Sequence, residues 1–338
     1  MPLPTDDLPE VALQTAADVV GELAEILEIK KGGNSRVYKL TSATRSCILK
    51  RVAAGREAEL LNECQAYALL QQHGIDRVPH TLHHGQPCSW ALFSHLQGDT
   101  PAVQDLDSSD IAQFVEFIRQ LKNLSASARP DFGKASDACL SRRDMLLRIS
   151  ARRRDFQPDP MLSRDFAMAS LLGTWDDAWQ ALCDKNSSAN EKTFYQQELA
   201  SGAQILSPSD FGPHNAKRHH GQWFFLDFEY FGWDDPAKLI VDFVWHPANP
   251  LDDSLKKFWL QSCLQLWQDE ILHERVRTIM PFHGLKWCLI ALNIFSVHHA
   301  RRRAFLEQPH SAVENFQARF ETARHLLASV QTLLHSNA

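Results

Sequence analysis

The chain has 338 residues, 44% apolar and 22% charged, the balance of a folded protein long enough for two lobes. A net charge of -6 exerts no general pull toward nucleic acid or an anionic membrane, so neither is expected as a partner. Seven scattered cysteines without a C-x-x-C pair argue against a disulfide framework or structural zinc. The acidic start MPLPTDDLPE is unlike a signal peptide and no apolar run approaches the length of a membrane span, so a cytoplasmic protein is expected.

Residues 23 to 52 read as strands around a glycine turn: LAEILEI, then KKGGNSR, VYKL and CILKRV. The turn arches over Gly32 and Gly33, followed by Asn34 and Ser35, and its backbone amides can cradle phosphate; two glycines between strands also make an ordinary hairpin loop. Lys50 on the next strand favours the first reading, because an ammonium there reaches phosphates lying beneath such a turn. From Gly55 to Gln72 the pattern becomes helical, with Leu60, Leu61, Cys64, Ala68 and Leu69 near one face. Glu63 is the favoured acidic partner for Lys50, ahead of Glu59 and Glu57. Strand candidates follow at Thr81 to His84 and around Trp90 to Leu96, and GDTP at 98 to 101 breaks the pattern. The expected boundary falls there, between a smaller lobe of residues 1–97 and a larger one of 98–338.

Helices are expected to dominate the remainder. Ser108 or Ser109 can cap one whose Ile111, Phe114, Val115, Ile118 and Leu121 form an apolar stripe, and Arg142 to Arg154 is a basic helical stretch. Residues 185 to 192 have the composition of a surface loop. Asp235 and Pro236 open a helix that must stop by Pro247. Three long helices are expected at about 252–275, 283–305 and 311–334, the last opened by a capping box from Ser311 to Glu314.

The most informative string is LSPSDFGPHNAKRHHGQWFFLDFEYFGWDDP. Asp210 and Asn215 have the D-x-x-x-x-N spacing of a kinase catalytic loop, in which the carboxylate aligns an acceptor hydroxyl and the amide oxygen holds a magnesium ion. A strand from Ala216 to Arg218, a turn ending at Gly221 and the run Trp223 to Leu226 make a hairpin that delivers Asp227 to the same end as Asn215. An aspartate beside Gly and Pro is also common in plain turns, but the joint pattern favours chemistry. The triplet Asp-Phe-Gly occurs at 131–133 and 210–212; by spacing the second belongs to the catalytic loop, the first to a turn, and the metal carboxylate is Asp227.

LSPSDFGPHNAK together with FLDFEYFGWDDPAKLIVDF resembles the aminoglycoside phosphotransferase and choline kinase superfamily, over roughly residues 23 to 250. The resemblance implies a bilobal α+β, protein-kinase-like fold, with an antiparallel sheet in a small N-terminal lobe and a mostly helical C-terminal lobe. It further implies ATP and Mg2+ as cofactors, Asp210 as the catalytic residue, and Asn215 and Asp227 as metal ligands. Gly32, Gly33, Lys50 and Glu63 match less specifically, and WALFSHLQGDTP looks like the interlobe hinge, whose backbone near Ser94, His95 and Leu96 receives adenine. This chain departs from the family in having Pro208 and Ser209 where His-Gly is common, His214 directly before Asn215, and Lys122 in place of a histidine.

The adjacent histidines at 83–84, 219–220 and 298–299 read as turn or surface residues, Asp235 as a cap, Asp242 as a structural partner, and Glu229 as a residue facing the acceptor. SRRDMLLRISARRRD and HHARRRAF are solvated helix faces on the simplest reading, or else suit an anionic acceptor; Asn293 is a weaker pocket candidate. The function expected is transfer of the terminal phosphoryl of ATP to a hydroxyl of a sugar, amino alcohol or related small molecule. A non-catalytic nucleotide-binding module is the alternative, and a protein kinase is disfavoured by the short run from Asp227 to DDP.

Overall fold

The computed structural model describes residues 8–31, 35–128, 130–185, 197–297 and 313–336. In chain order the first elements are α1 (Glu10–Val20), β1 (Leu23–Lys31), β2 (Ser35–Ser42), β3 (Ser46–Val52), α2 (Glu57–Gln72), β4 (Thr81–His84), β5 (Trp90–Ser94) and α3 (Ser108–Ser127). There follow α4 (Arg142–Asp155), α5 (Pro160–Ser163), α6 (Met168–Lys185), β6 (Ile205–Ser207), β7 (Ala216–His219), β8 (Gln222–Phe225), β9 (Gly232–Asp234), α7 (Pro236–Trp245), α8 (Asp253–Trp267), α9 (Glu270–Leu292) and α10 (Val313–Ser336). The fold is α+β: an N-terminal five-stranded antiparallel sheet, then a largely helical remainder. Two units are distinguished, one of residues 1–124 with 208–232, the other of 125–207 with 233–338.

In the first unit the strand order is β1-β2-β3-β5-β4. One face of the sheet, with Tyr38, Leu40, Cys47, Leu49, Trp90 and Leu92, buries against Ala12, Ala16 and Val20 of α1. Full burial of each such leucine contributes about 1.5–3 kcal/mol. Helix α1 is absent from the sequence reading, although Ala12, Ala16 and Val20 recur every four residues. Strand alternation sends Lys50, next to Leu49, to the opposite face, where it pairs with Ala91 of β5 in register. Helix α2 forms as expected, but Leu61, Ala68 and Leu69 are only partly covered and the buried side is Leu60, Glu63, Cys64, Ala66, Tyr67 and Leu70. Its inward face turns because Glu63 and Tyr67 are held there by polar partners. Helix α3 buries its expected stripe, yet the cap is Asp107, whose Oδ1 accepts from the backbone N–H of Ser109 and Asp110 at 2.8 and 3.1 Å.

In the second unit Ser141 caps α4 and Asp235 caps α7, the latter accepting from Ala237 N at 2.9 Å. The long helices are divided differently from the expectation. Gln268 enters the left-handed region (φ 49°), Asp269 caps a new start through Ile271 N, and α9 then runs unbroken through Pro281 to Leu292. That helix is long and apolar enough to cross a membrane by composition, contrary to the sequence estimate, but 61% of its apolar window is buried within the protein, as for a core helix. All seven cysteines are free. Gly32, Gly33, Asn34, most of the 185–192 loop, the HHARRRAF run and the capping residue Ser311 lie outside the described residues.

Candidate active site

The site is built within the first unit, starting from a strained loop. Ser209 has φ 69°, a left-handed conformation that costs a non-glycine residue about 1–2 kcal/mol, and Asp210 N donates to Pro208 O at 2.9 Å. Serine thus takes up the turn for which the resembling family commonly uses glycine. The Asn215 side chain folds back, its Nδ2 donating to Asp210 O at 2.9 Å and to Asp210 Oδ2 at 3.2 Å, while His214 Nε2 lies 3.1 Å from Asp210 Oδ1. Both carboxylate oxygens of Asp210 are therefore oriented by its own loop.

The hairpin expected from sequence is present. Ala216 pairs with Phe225 and His219 with Gln222, and the two-residue turn places His220 (φ 48°) and Gly221 (φ 76°) on the left-handed side, the geometry that matches the twist of paired strands. Leu226 N donates to Asn215 O at 2.8 Å, so Asn215 and Asp227 leave the hairpin at one end. Anchors hold it from behind: Asp99 and Arg218 exchange backbone bonds, and Arg77 O accepts from Phe225 N at 2.8 Å. The buried carboxylate of Asp110 accepts from Arg218 at 3.0 Å and from Trp223 Nε1 at 2.8 Å. Gly98 (φ 104°) lies so close to this hairpin that an added Cβ would sit 2.4 Å from Arg218 O. Phe117 stacks on Phe211 next to Asp210, and packs against Phe225 with centroids 4.2 Å apart.

Opposite the hairpin, Lys50 Nζ donates to Glu63 Oε2 (2.8 Å), Asp227 Oδ1 (2.6 Å) and Glu229 Oε2 (3.3 Å). Burial opposes its charge, but these three carboxylates outweigh burial and hold the Lys50 pKa above its ordinary value. Glu63 is 3% exposed; burial pushes its carboxyl up, against the pull of Lys50. Tyr67 links the groups, donating to Glu63 Oε1 at 2.8 Å and accepting from Asp227 N at 2.9 Å. Asp227 has φ 65°, like Ser209 a non-glycine residue in the left-handed region, which fits the clustering of backbone strain at functional positions. Glu229, read from sequence as facing an acceptor, is instead taken up by Lys50 and by Arg56 at 3.2 Å. Asn62 fixes the following backbone by donating to Phe231 O at 2.9 Å.

These groups share a cleft of about 800 Å³. Lys50, Glu63, Asn215 and Asp227 line it, as do Ser35, Ser94, His95 and Leu96; Asp210 joins them through its bonds to His214 and Asn215, both lining residues. At the expected hinge, Ser94 N donates to His80 O and Ser94 Oγ accepts from His80 N, both at 2.9 Å, so Ser94 is committed to holding the strand end. His95 Nδ1 lies 2.8 Å from Ser46 Oγ, and burial first, with Lys39 and Lys217 nearby, lowers its pKa. The Asn215 amide nitrogen is spent on Asp210, which leaves its oxygen as the remaining ligand atom; with the Asp227 carboxylate this is a hard oxygen set of the kind Mg2+ takes. Sequence reasoning missed Tyr67, Arg56 and Asp110. Only Tyr67 carried a local signal, lying one helical turn beyond Glu63.

The model of the phosphotransferase enzyme family matches residues 25–277. The fold is similar to solved structures of spectinomycin phosphotransferase APH(9)-Ia in complex with ADP and spectinomycin, at 12% identity and TM-score 0.61, covering 95% of this chain and 98% of that one. It is also similar to APH(2")-IIa in complex with gentamicin, at 12% identity and TM-score 0.60, covering 97% and 98%. Choline kinase from Cryptosporidium parvum Iowa II is similar at 13% identity and TM-score 0.54, covering 93% and 92%. Likeness at such identities shows the fold alone. A search of curated proteins returned no match.

Proposed function

Since the chain belongs to the phosphotransferase enzyme family, we propose that it transfers the terminal phosphoryl of ATP to a hydroxyl of a small molecule, a sugar, amino alcohol or related metabolite. The observation that carries this reading is the arrangement of Asn215, Asp227, Lys50 and Glu63 around a single cleft, with Asp210 bonded to Asn215. Nucleotide with its divalent ion supplies the electrophilic phosphoryl group and the charge neutralisation that such transfer needs. Lys50, held by Glu63, is poised to give its ammonium to phosphate oxygens, and Asp227 and Asn215 to offer oxygen ligands to the ion. Asp210, its carboxylate oriented by Asn215 and His214, aligns the acceptor hydroxyl and takes its proton. Because Ser94 N is used within the sheet, the groups that meet adenine are those of His95 and Leu96.

A non-catalytic reading rests on Pro208 and Ser209 in place of His-Gly. Against it, Ser209 keeps the left-handed turn, Asn215 keeps its bonds to Asp210, and Asp227 is held by Lys50 and Tyr67. ATP turnover measured with pooled sugars, amino alcohols and aminoglycosides decides between the two: the enzyme shows acceptor-dependent turnover that Asp210→Asn lowers by about 10²–10⁴ in kcat while nucleotide binding persists. Nucleotide binding without turnover across all pools would favour the non-catalytic module.

A further inference from the structure

The second unit contains a cavity of about 440 Å³ lined chiefly by α4 and α9, within the range of about 300–1,000 Å³ usual for small-molecule pockets. Met145, Ile149 and Phe156 supply an apolar wall, and Asn293 and Ser296 neutral polar groups. The charged lining is Arg148, Arg152 and Lys286 against Asp137 and Asp155.

The surplus cation belongs to α4. Arg153 takes Asp176 in a bidentate pair at 2.9 and 2.7 Å, and Arg154 pairs with Asp155 at 3.3 Å. Arg148 and Arg152, one helical turn apart, converge instead on a single carboxylate, that of Asp137. Arg152 Nη2 donates to Asp137 Oδ2 at 3.0 Å, while Arg148 Nη1 lies 3.6 Å from Oδ1. The longer separation exceeds a hydrogen bond, so the five N–H groups of Arg148 are not spent on that carboxylate. Both guanidiniums can be reached, with side-chain exposures of 51% for Arg148 and 30% for Arg152. The buried charges connected to Lys286 are balanced and do not offset the surplus. Lys286 Nζ lies 2.6 Å from Asp242 Oδ1, and Lys238 Nζ lies 2.8 Å from Asp234 Oδ2 and 3.4 Å from Asp242 Oδ2. Asp242 also accepts from His283 Nδ1 at 2.8 Å, and burial lowers the pKa of that imidazole despite the carboxylate, favouring the neutral ring.

We propose that this cavity binds a small organic oxyanion, a carboxylate or a phosphate monoester, whose charged group is held by Arg148 and Arg152 and whose carbon body lies against Met145, Ile149 and Phe156. Two planar guanidinium forks that meet at one carboxylate present donors in the geometry an oxyanion takes. A concave, partly apolar wall strengthens that attraction over the value on an open surface. Equating the molecule with the phosphoryl acceptor rests on the phosphotransferase reading above; the binding site does not.

The test is calorimetric titration of the full chain without nucleotide. The probes are two phosphate monoesters, glucose 6-phosphate and glycerol 3-phosphate, two carboxylates, glucuronate and glycerate, the neutral glucose and glycerol, inorganic phosphate and spermidine. At least one organic oxyanion should bind saturably, about tenfold or more tighter than its neutral counterpart, and should weaken as sodium chloride is added. Which pair binds better identifies the charged group as phosphate or carboxylate. Arg148→Gln should weaken that binding about tenfold, the loss of one charge-assisted hydrogen bond, and Arg148→Lys should weaken it less. Asp137→Asn acts in the opposite direction: it removes the carboxylate that competes for the same two guanidiniums and should tighten binding severalfold. The two signs keep the test decisive if one variant fails to fold. The proposal is overturned if no organic oxyanion binds, if glucose or glycerol binds as tightly as its charged relatives, if inorganic phosphate matches the best of them, or if only spermidine binds. It is equally overturned if the affinity is indifferent to Arg148→Gln and Asp137→Asn, which would place the anion elsewhere on the protein. With nucleotide absent, the two readings fail separately: no ATP turnover with any acceptor sinks the kinase and leaves this site, whereas turnover with no oxyanion binding at α4 does the reverse.

Discussion

Replacing Lys50 by methionine tests the electrostatic centre of the site most directly. Lys50 is 5% exposed, and its removal leaves Glu63, at 3% exposure, with Tyr67 as its remaining partner and with Asp227 and Glu229 as neighbouring carboxylates. Removing one member of a buried ion pair costs about 3–5 kcal/mol, and we take about 3 because Asp227 is more exposed than Glu63 and Arg56 still reaches Glu229. For a unit of this size that is a fall in Tm of about 6–12 °C at pH 8. The loss is pH-dependent with a definite sign. Burial already holds the Glu63 carboxyl above its ordinary value, and without Lys50 it rises further. Such a group binds more protons folded than unfolded, so the variant loses stability as pH rises from about 4.3 through the raised folded value, and regains it on acidification. Calorimetric scans of wild type and Lys50→Met between pH 5 and 8 should show a deficit that shrinks toward pH 5. A deficit below about 1 kcal/mol, or one equal at both ends, would refute the view that Lys50 compensates a buried carboxylate cluster.

Other substitutions read the scaffold. Ser209→Gly should leave stability within about 1 kcal/mol and activity intact, whereas Ser209→Val, a branched residue forced to positive φ, should lose about 1–2 kcal/mol by thermal denaturation. Asp110→Ala removes the acceptor of both Arg218 and Trp223 Nε1 and should cost about 2–4 kcal/mol, with kcat falling because the hairpin carrying Asn215 and Asp227 is loosened. Around His283, a folded pKa below the unfolded value means that the unfolded chain binds more protons, so stability falls as pH drops below about 6.5 toward that folded value. His283→Asn should flatten that part of the stability profile, and an unchanged profile would exclude a neutral buried imidazole.

The hairpin geometry was legible because it is local. The five-residue spacing from Asp210 to Asn215, the turn ending at Gly221 and the apolar aromatic run Trp223 to Leu226 are read along one stretch of chain, and the hairpin that results brings Asn215 and Asp227 to one end. The sequence also put Lys50 on the strand after the glycine turn and favoured Glu63 of the following helix as its partner, and the two side chains meet at 2.8 Å. Helix α2 illustrates the limit: its composition predicted a helix, but which side turns inward was decided by Glu63 and Tyr67 finding Lys50 and Asp227, partners far away in sequence.

Sequence alone determined the type of each main element near the site, the spacing of the acidic and amide groups, and the family resemblance that the profile match bears out. Tertiary structure decided the rest: that Glu229 is bound by Lys50 and Arg56, that Asp110 fastens the hairpin, that α9 runs through Pro281, and that His283 is buried against Asp242. The physical reason is the range of the forces concerned. Backbone propensity and turn stereochemistry act between near neighbours and leave a trace in the local string. Burial and charge compensation depend on which distant groups arrive beside a side chain, and that is settled only when the chain has folded.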